Sequence, residues 1–280
     1  MRSGLGLTSR KIGLCAALIA LAALVFSDAT TNLAHDEPNP VIFNRADLEV
    51  KGLGPRGIVA EDLNDDGFVD LVVANLGTYQ VYQSQTLDVF FGRGDGTFDL
   101  VQTIPVGDGN EPYGIAAADL RGNGLTDIIV PNKAGRCVSV FLGREDGTFE
   151  NPRSYSTGDA WAVSAGDLDG DGIIDLVVGD FEHQAMYLLP GIGDGGFQHA
   201  VEMKLPAGLK PRDFGLGDLD GDGRADVVIP SDTPDGRLAI YLNHSSIGFF
   251  SLSGPQIIHV GSGTGAVAIH DLDGDGRLDV

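Results

Sequence analysis

The sequence predicts an all-β protein, a β-propeller of four-stranded blades, on three observations. A short acidic motif recurs about every fifty residues, with its first aspartate at Asp62, Asp119, Asp167, Asp218 and Asp271. Each unit carries about four short apolar segments, mixed or alternating in pattern, joined by Gly- and Asp-rich turns. Beyond the first 26 residues no segment shows a helical 3.6-residue apolar period. A unit of this size with four strands matches a propeller blade. One such sheet cannot bury both faces alone, so blades stack around an axis.

The chain begins with a leader. Arg2, Arg10 and Lys11 precede the apolar run IGLCAALIALAALVF, residues 12–26, and Ser27-Asp28-Ala29 offers small residues for cleavage after Ala29. Residues 1–29 are expected to be a secretory signal peptide, placing the protein in the periplasm, at the cell surface or outside the cell. The competing reading is an uncleaved anchor, for which the run is short. Residues 30–42 form a linker, and the propeller occupies 43–280. Its units span about 53–105, 106–155, 156–205 and 206–258, with a partial unit at 259–280. FNRADLEVKG (43–52) aligns with FDLVQTIPVG (98–107), so it is expected to be the outer strand of a blade completed by the other chain end. The sequence stops at Val280, one residue past the fifth acidic loop, so the closing blade is expected to lack two strands, as in a truncated piece of a longer propeller.

Within a unit the first strand runs into the acidic loop, as in GIVAEDL and AVSAGDL. The second leaves it, as in DLVVAN and DLVVGD. The third enters a Gly-Asp-Gly hairpin: LDVFFGRGDGTF, VSVFLGREDGTF, MYLLPGIGDGGF and a degraded LAIYLNHSSIGF. The fourth is looser. Small Ala and Gly residues in the first strand suit the crowded position nearest the axis.

The chain has 40 acidic and 18 basic residues, a formal charge of −22, which argues against nucleic acid or an anionic membrane as partner. Eighteen of the acidic residues sit in the five loops, where they repel one another unless a cation intervenes. Counted from the first Asp, positions 1, 3, 5 and 9 are Asp62, Asn64, Asp66 and Asp70 in the first loop. They are Asp167, Asp169, Asp171 and Asp175 in the third, Asp218, Asp220, Asp222 and Asp226 in the fourth, and Asp271, Asp273, Asp275 and Asp279 in the fifth. Position 6 is always Gly, which takes left-handed dihedrals freely and lets the loop curl over a central point. Hard oxygen ligands, completed by the backbone carbonyl of position 7 (Phe68, Ile173, Arg224, Arg277), suit Ca²⁺; zinc would want His or Cys. The second loop departs, with Asp119, Arg121, Asn123 and Asp127. Arginine cannot ligate a cation. Its guanidinium replaces the metal, or the site is weak, and no calcium is expected there. Cys137 is the one cysteine outside the leader, which excludes an intramolecular disulfide, so calcium is expected to staple the hairpins instead. Cys137 itself reads as a buried small hydrophobe in an apolar strand, with a reactive thiol as the other reading.

A different position varies. Six residues before each first Asp stand Arg56, Tyr113, Trp161, Arg212 and Gly265, at the end of the first strand opposite the loop. Returning loops bring Tyr79, Lys133, Phe181 and His183 toward the same rim. Arg and aromatics are typical binding anchors, so Arg56, Tyr113, Trp161 and Arg212 are candidate ligand-binding residues, with ordinary packing as the alternative. No G-x-S-x-G, H-E-x-x-H or G-x-x-x-x-G-K-[ST] occurs, and the six histidines show no ligand spacing. The expectation is a binding module rather than an enzyme. A lectin-like or carbohydrate-active domain, or a structural spacer, stays open.

The repeated DLDGDGxxDLVV followed by VFLGxGDGTF resembles the FG-GAP, or VCBS, repeat family, whose best known member is the integrin α-subunit propeller. The resemblance covers residues 43–280. It implies a calcium-stapled, exported propeller concerned with adhesion or carbohydrate, with an extracellular protein or glycan as partner. It assigns calcium to the loop positions named above, the second loop excepted.

Overall fold

A computed structural model describes residues 54–77, 85–106, 111–231 and 233–280. The expected leader and linker, the 43–52 segment and Tyr79 lie outside the described residues. The described chain holds sixteen strands in four sheets. The first sheet is β1 (Pro55–Glu61), β2 (Asp70–Asn75), β3 (Thr86–Gly92) and β4 (Phe98–Pro105). The second is β5 (Ala116–Ala118), β6 (Asp127–Asn132), β7 (Cys137–Phe141) and β8 (Arg153–Ser156). The third is β9 (Ala160–Gly166), β10 (Asp175–Asp180), β11 (Ala185–Leu189) and β12 (Val201–Lys204). The fourth is β13 (Gly215–Gly217), β14 (Asp226–Ser231), β15 (Arg237–Asn243) and β16 (Leu252–His259). Every sheet is an antiparallel meander in chain order, the blade of a β-propeller. Among the described residues there is no helix, hence none long and apolar enough to cross a membrane. The fifth repeat contributes the isolated bridge His270–Asp279.

The second strands are apolar without interruption because both of their faces are buried. Side chains alternate between the two neighbouring blades. Ile128 and Val130 of β6 join Val72 and Ala74 of β2 in one core. Ile129, from the opposite face of β6, joins Leu176 and Val178 of β10 in the next. Val177 of β10 then joins Val227 and Ile229 of β14. The cores therefore lie between blades, and β9, a first strand, lies against the first strands β5 and β13 on either side. Beyond the fourth blade, Ile269 and Leu278 pack on Gly215 and Gly217 of β13.

One glycine position explains part of the repeat. At Gly92, Gly143 and Gly191, where the third strand ends, a Cβ would lie 2.2–2.3 Å from the carbonyl oxygens of Val69, Thr126 and Ile174. The fourth repeat carries Asn243 there. Its Nδ2 donates to the carbonyls of Ala225 and Leu168, both at 2.8 Å, so a side chain is accommodated by bonding to the backbone it would otherwise crowd. In the second, third and fourth blades the hairpin that follows the third strand reaches over the acidic loop of the preceding blade. Gly147 faces Asn64 and Gly195 faces Arg121, and the Gly248 N–H donates to Asp169 Oδ2 at 2.6 Å. Phe149 and Phe197 anchor two of these hairpins in the core; Phe249, in the degraded copy, is exposed.

Candidate functional site: acidic loops and a cationic rim

Each acidic loop is wound by its own carboxylates. At position 1 one oxygen accepts the N–H of position 6: Gly67 to Asp62 at 3.0 Å, Gly172 to Asp167 at 2.9 Å, Gly223 to Asp218 at 2.9 Å, Gly276 to Asp271 at 2.9 Å. Asn64 Oδ1 and the position-3 carboxylates of Asp169, Asp220 and Asp273 accept from the N–H of position 5. Asp66, Asp171, Asp222 and Asp275, at position 5, accept the N–H of Phe68, Ile173, Arg224 and Arg277. The position-6 glycines have φ of 85–90° in these four loops, the left-handed turn that the sequence pattern requires.

Position 9 does separate work. Asp175 is 1% exposed. Its oxygens accept from Leu168 N at 2.9 Å and from Gly191 N at 2.8 Å, tying the loop to the end of the third strand. Asp70 repeats this with Leu63 and Gly92, Asp127 with Leu120 and Gly143, and Asp226 with Leu219 and Asn243. Asp279 accepts from Leu272. Burial pushes the Asp175 carboxyl up to about 6, with a further contribution from Asp169 and Asp171 nearby. Burial likewise raises Asp70, Asp127 and Asp226.

In three loops the ligand geometry converges. Carboxylate oxygens of Asp167, Asp169 and Asp175 lie within 4.8 Å of one another, and so do those of Asp218, Asp220 and Asp226, and of Asp271, Asp273 and Asp279. Oxygens on opposite sides of a calcium ion with bonds of about 2.3–2.6 Å stand about 4.6–5.2 Å apart, so the residues fit a cation of that size. Positions 1, 3 and 9 form these groups. Position 5 holds its N–H bond outside them, and in the fourth loop Asp222 also pairs with Arg224 Nη1 at 2.7 Å. The first loop follows the same backbone pattern with Asn64 at position 3. The second loop is closed by its own cation. Arg121 Nη2 donates to Asp127 Oδ1 and to the Gly143 carbonyl, both at 2.7 Å, with Nε to Asp127 Oδ2 at 3.2 Å. The guanidinium thus sets a positive charge against the position-9 carboxylate of this loop.

At the other end of the first strands, Arg56, Tyr113, Trp161, Arg212 and Gly265 line one pocket of about 210 Å³. Four blades and the fifth repeat thus deliver the same repeat position to one place. The returning loops add Phe181 and Lys133, together with Lys210, which sequence reasoning did not single out. Its signal was only proximity in sequence to Arg212. Trp161 contacts Tyr113 with ring centroids 4.2 Å apart and Phe181 at 4.7 Å. Arg56 and Lys133 lie over Tyr113, Lys133 and Arg212 over Trp161, and Lys210 and Arg212 over Phe181, at 4.7–5.7 Å from the centroids. His183 is not part of the pocket lining, and its Nδ1 lies 3.0 Å from Asp180 Oδ2. Cys137 is half-buried with its thiol pushed up by burial, the state of a packing residue rather than a nucleophile.

Four four-stranded meanders, each with a wound acidic loop after its first strand, define a propeller of acidic-loop repeats. A family model for the FG-GAP-like repeat matches residues 62–130, 131–178 and 167–229, more than half of the chain. The chain belongs to the FG-GAP-like repeat family. A search of curated protein sequences found no match. Among solved structures, a protein from Lactobacillus plantarum is 18% identical with a TM-score of 0.54, covering 79% of this chain and 62% of that one. BBS1N, solved in complex with ARL6DN, is 16% identical with a TM-score of 0.48, covering 75% and 58%. An exo-beta-1,3-galactanase from Phanerochaete chrysosporium is 11% identical with a TM-score of 0.45, covering 74% and 50%. The chain spans about three-fifths or less of each. The first likeness shows a shared fold and says nothing of activity.

Proposed function

We propose that the chain is an exported, calcium-stapled propeller that acts as a non-enzymatic binding or adhesion module toward an extracellular protein or glycan. The observation that carries this reading is the convergence of positions 1, 3 and 9 in three loops on a volume of calcium size. A bound cation supplies charge neutralisation. The chain does the rest: glycine N–H groups orient position 1, and position 9 ties the loop to the end of the third strand. A bound cation would commit these carboxylates as ligands, which removes them as acids or bases for catalysis. The leader motif supports export, and the lack of a disulfide supports a need for another staple. Extracellular calcium modules bind with Kd of about 10⁻⁴–10⁻³ M. An ion that binds only the folded state at ten times its Kd adds about 1.4 kcal/mol per site.

The test is thermal unfolding of the full chain in millimolar calcium and in chelator. A single cooperative transition that falls by several degrees in chelator and recovers with calcium is expected. A transition indifferent to chelator refutes the staple. A lectin-like role is the second reading, favoured by the pocket that five repeats build together.

A further inference from the structure

The third blade departs from the repeat at one turn. Its second strand ends on Asp180, where the other blades have Asn75, Asn132 and Ser231. His183 comes three residues later, where they have Thr78, Gly135 and Pro234. Asp159, just before β9, stands where the other repeats have Gly54, Glu111, Lys210 and Gly263. Asp159 lies 21 residues from Asp180, and the antiparallel pairing of β9 with β10 brings the two together. One carboxylate oxygen from each aspartate and an imidazole nitrogen of His183 lie within 4.8 Å of one another. The Asp180 side chain is fully buried, and no lysine or arginine among the described residues pairs with it. Its ion-pair partner is His183, a half-exposed imidazole. A buried carboxylate is costly without a firm counter-charge. Arg136, the neighbouring cation, is engaged with Asp159 Oδ1 at 3.2 Å.

We propose that Asp159, Asp180 and His183 form a site for a divalent transition ion of the zinc type, separate from the all-oxygen loops. The donor set decides the class. An imidazole nitrogen with two carboxylates suits zinc and its neighbours, whereas calcium takes oxygen alone. Zinc bonds of about 2.0–2.2 Å at tetrahedral angles set donors about 3.3–3.6 Å apart. His183 Nδ1 stands 3.0 Å from Asp180 Oδ2 and 3.9 Å from Asp159 Oδ2, on either side of that span. The donors are held ready. Asp180 Oδ1 accepts the N–H of His183 at 2.8 Å and Oδ2 accepts that of Asp159 at 3.1 Å, so both other ligands are tied by their backbone to the buried carboxylate. Arg136 steadies Asp159 from outside, as outer partners of metal ligands do. A Cβ at Gly158 would lie 2.1 Å from Asp180 Oδ2, so glycine keeps that oxygen approachable. Three protein donors leave a fourth position for water or for a donor from a partner. An ion here would also fix the turn that presents Phe181 to Trp161. The inference stands apart from the calcium reading of the loops.

The experiment is equilibrium dialysis of the full chain against micromolar zinc in millimolar calcium. The emission of Trp161, the sole tryptophan, is followed alongside. One zinc per chain is expected to resist the calcium and to change that emission. His183→Ala should weaken zinc binding by about a hundredfold or more, the upper end of what loss of an outer partner alone costs. The side chain is half-exposed, so this variant should melt in chelator at the parent's temperature. Asp159→Asn, at a partly exposed donor, is the second variant and should lose zinc likewise. Asp169→Asn, in the third acidic loop, should weaken calcium binding and leave the zinc in place. Absence of bound zinc, its displacement by calcium, full zinc affinity in His183→Ala or Asp159→Asn, or loss of zinc in Asp169→Asn each overturns the proposal.

Discussion

Replacing Asp175 by Asn tests the claim that position 9 is a backbone fastener independent of any ion. The carboxylate is buried and accepts two N–H bonds, from Leu168 at 2.9 Å and from Gly191 at 2.8 Å. An amide keeps one acceptor oxygen and turns an NH₂ group toward the other donor. One hydrogen bond to a charged group, about 1.5–3 kcal/mol, is lost, and one buried N–H is left facing a donor. Relief of the carboxylate's desolvation returns part of this, so the net loss is about 2–3 kcal/mol. For a domain of this size that is a fall in Tm of about 4–12 °C. Urea unfolding of both proteins in chelator isolates the effect from metal binding. Asp222→Asn, which leaves the fastener intact, is the control and should cost less than about 0.5 kcal/mol. A loss below that value in Asp175→Asn would refute the reasoning, because the two N–H groups would then be satisfied some other way.

Calcium titration of the full chain should give four sites, in the first, third, fourth and fifth loops, and Arg121→Asp should raise the count by one. A count that stays unchanged would mean that the second loop differs in more than its arginine. Gly143→Ala should destabilise by about 3 kcal/mol or more, since its Cβ meets the Thr126 carbonyl at 2.2 Å; Gly124→Ala, with open space but φ of 84°, should cost about 1–2 kcal/mol. Equal losses in the two would show that close approach is not the constraint. For pH, the folded Asp175 carboxyl at about 6 lies above its ordinary value of 3.8, so between the two values the folded state binds more protons. Stability of the metal-free protein therefore declines as pH rises from about 4 to 6 through this group. Calcium, which needs the ionised form, should add much more to Tm at pH 7 than at pH 5, and equal increments would sink the assignment of Asp175 as a ligand.

The legible part of this protein is what periodicity alone determines. Five copies of one motif put equivalent residues at equivalent places, so the loops could be aligned by eye and the position six residues earlier could be followed from Arg56 to Gly265. The propeller turns that alignment into convergence on one pocket. The guanidinium of Arg121 was readable for the same reason, as a departure from a repeated pattern. What could not be read depends on contacts across blades. Nothing local in Lys210 says that its ammonium lies over the Phe181 ring, and nothing in Trp161 says that its faces are engaged by two other rings. The fourth third-strand reads as degraded, yet Asn243 replaces a glycine by bonding to two carbonyls, one of them in the preceding blade. That the position-5 carboxylates stay outside the converging groups is likewise a matter of backbone winding, which residue type and spacing do not encode.

Where the next blade's hairpin overlies an acidic loop, as at Asp169, an ion held in that loop would be the common property of two repeats. Asp169, capped by the Gly248 N–H, is 4% exposed, whereas Asp220 and Asp273 are exposed. A ligand whose rotamer is fixed by the next blade loses less freedom on binding metal than one that swings in water. Affinity should therefore be graded along the chain, highest at the third loop. By reciprocity, an ion held there must tighten the seam between the third and fourth blades by the same free energy. Calcium bound in this architecture would then be a clasp across the joint as much as a pin within the hairpin, and a pull that opens the seam would be felt first as a loss of metal.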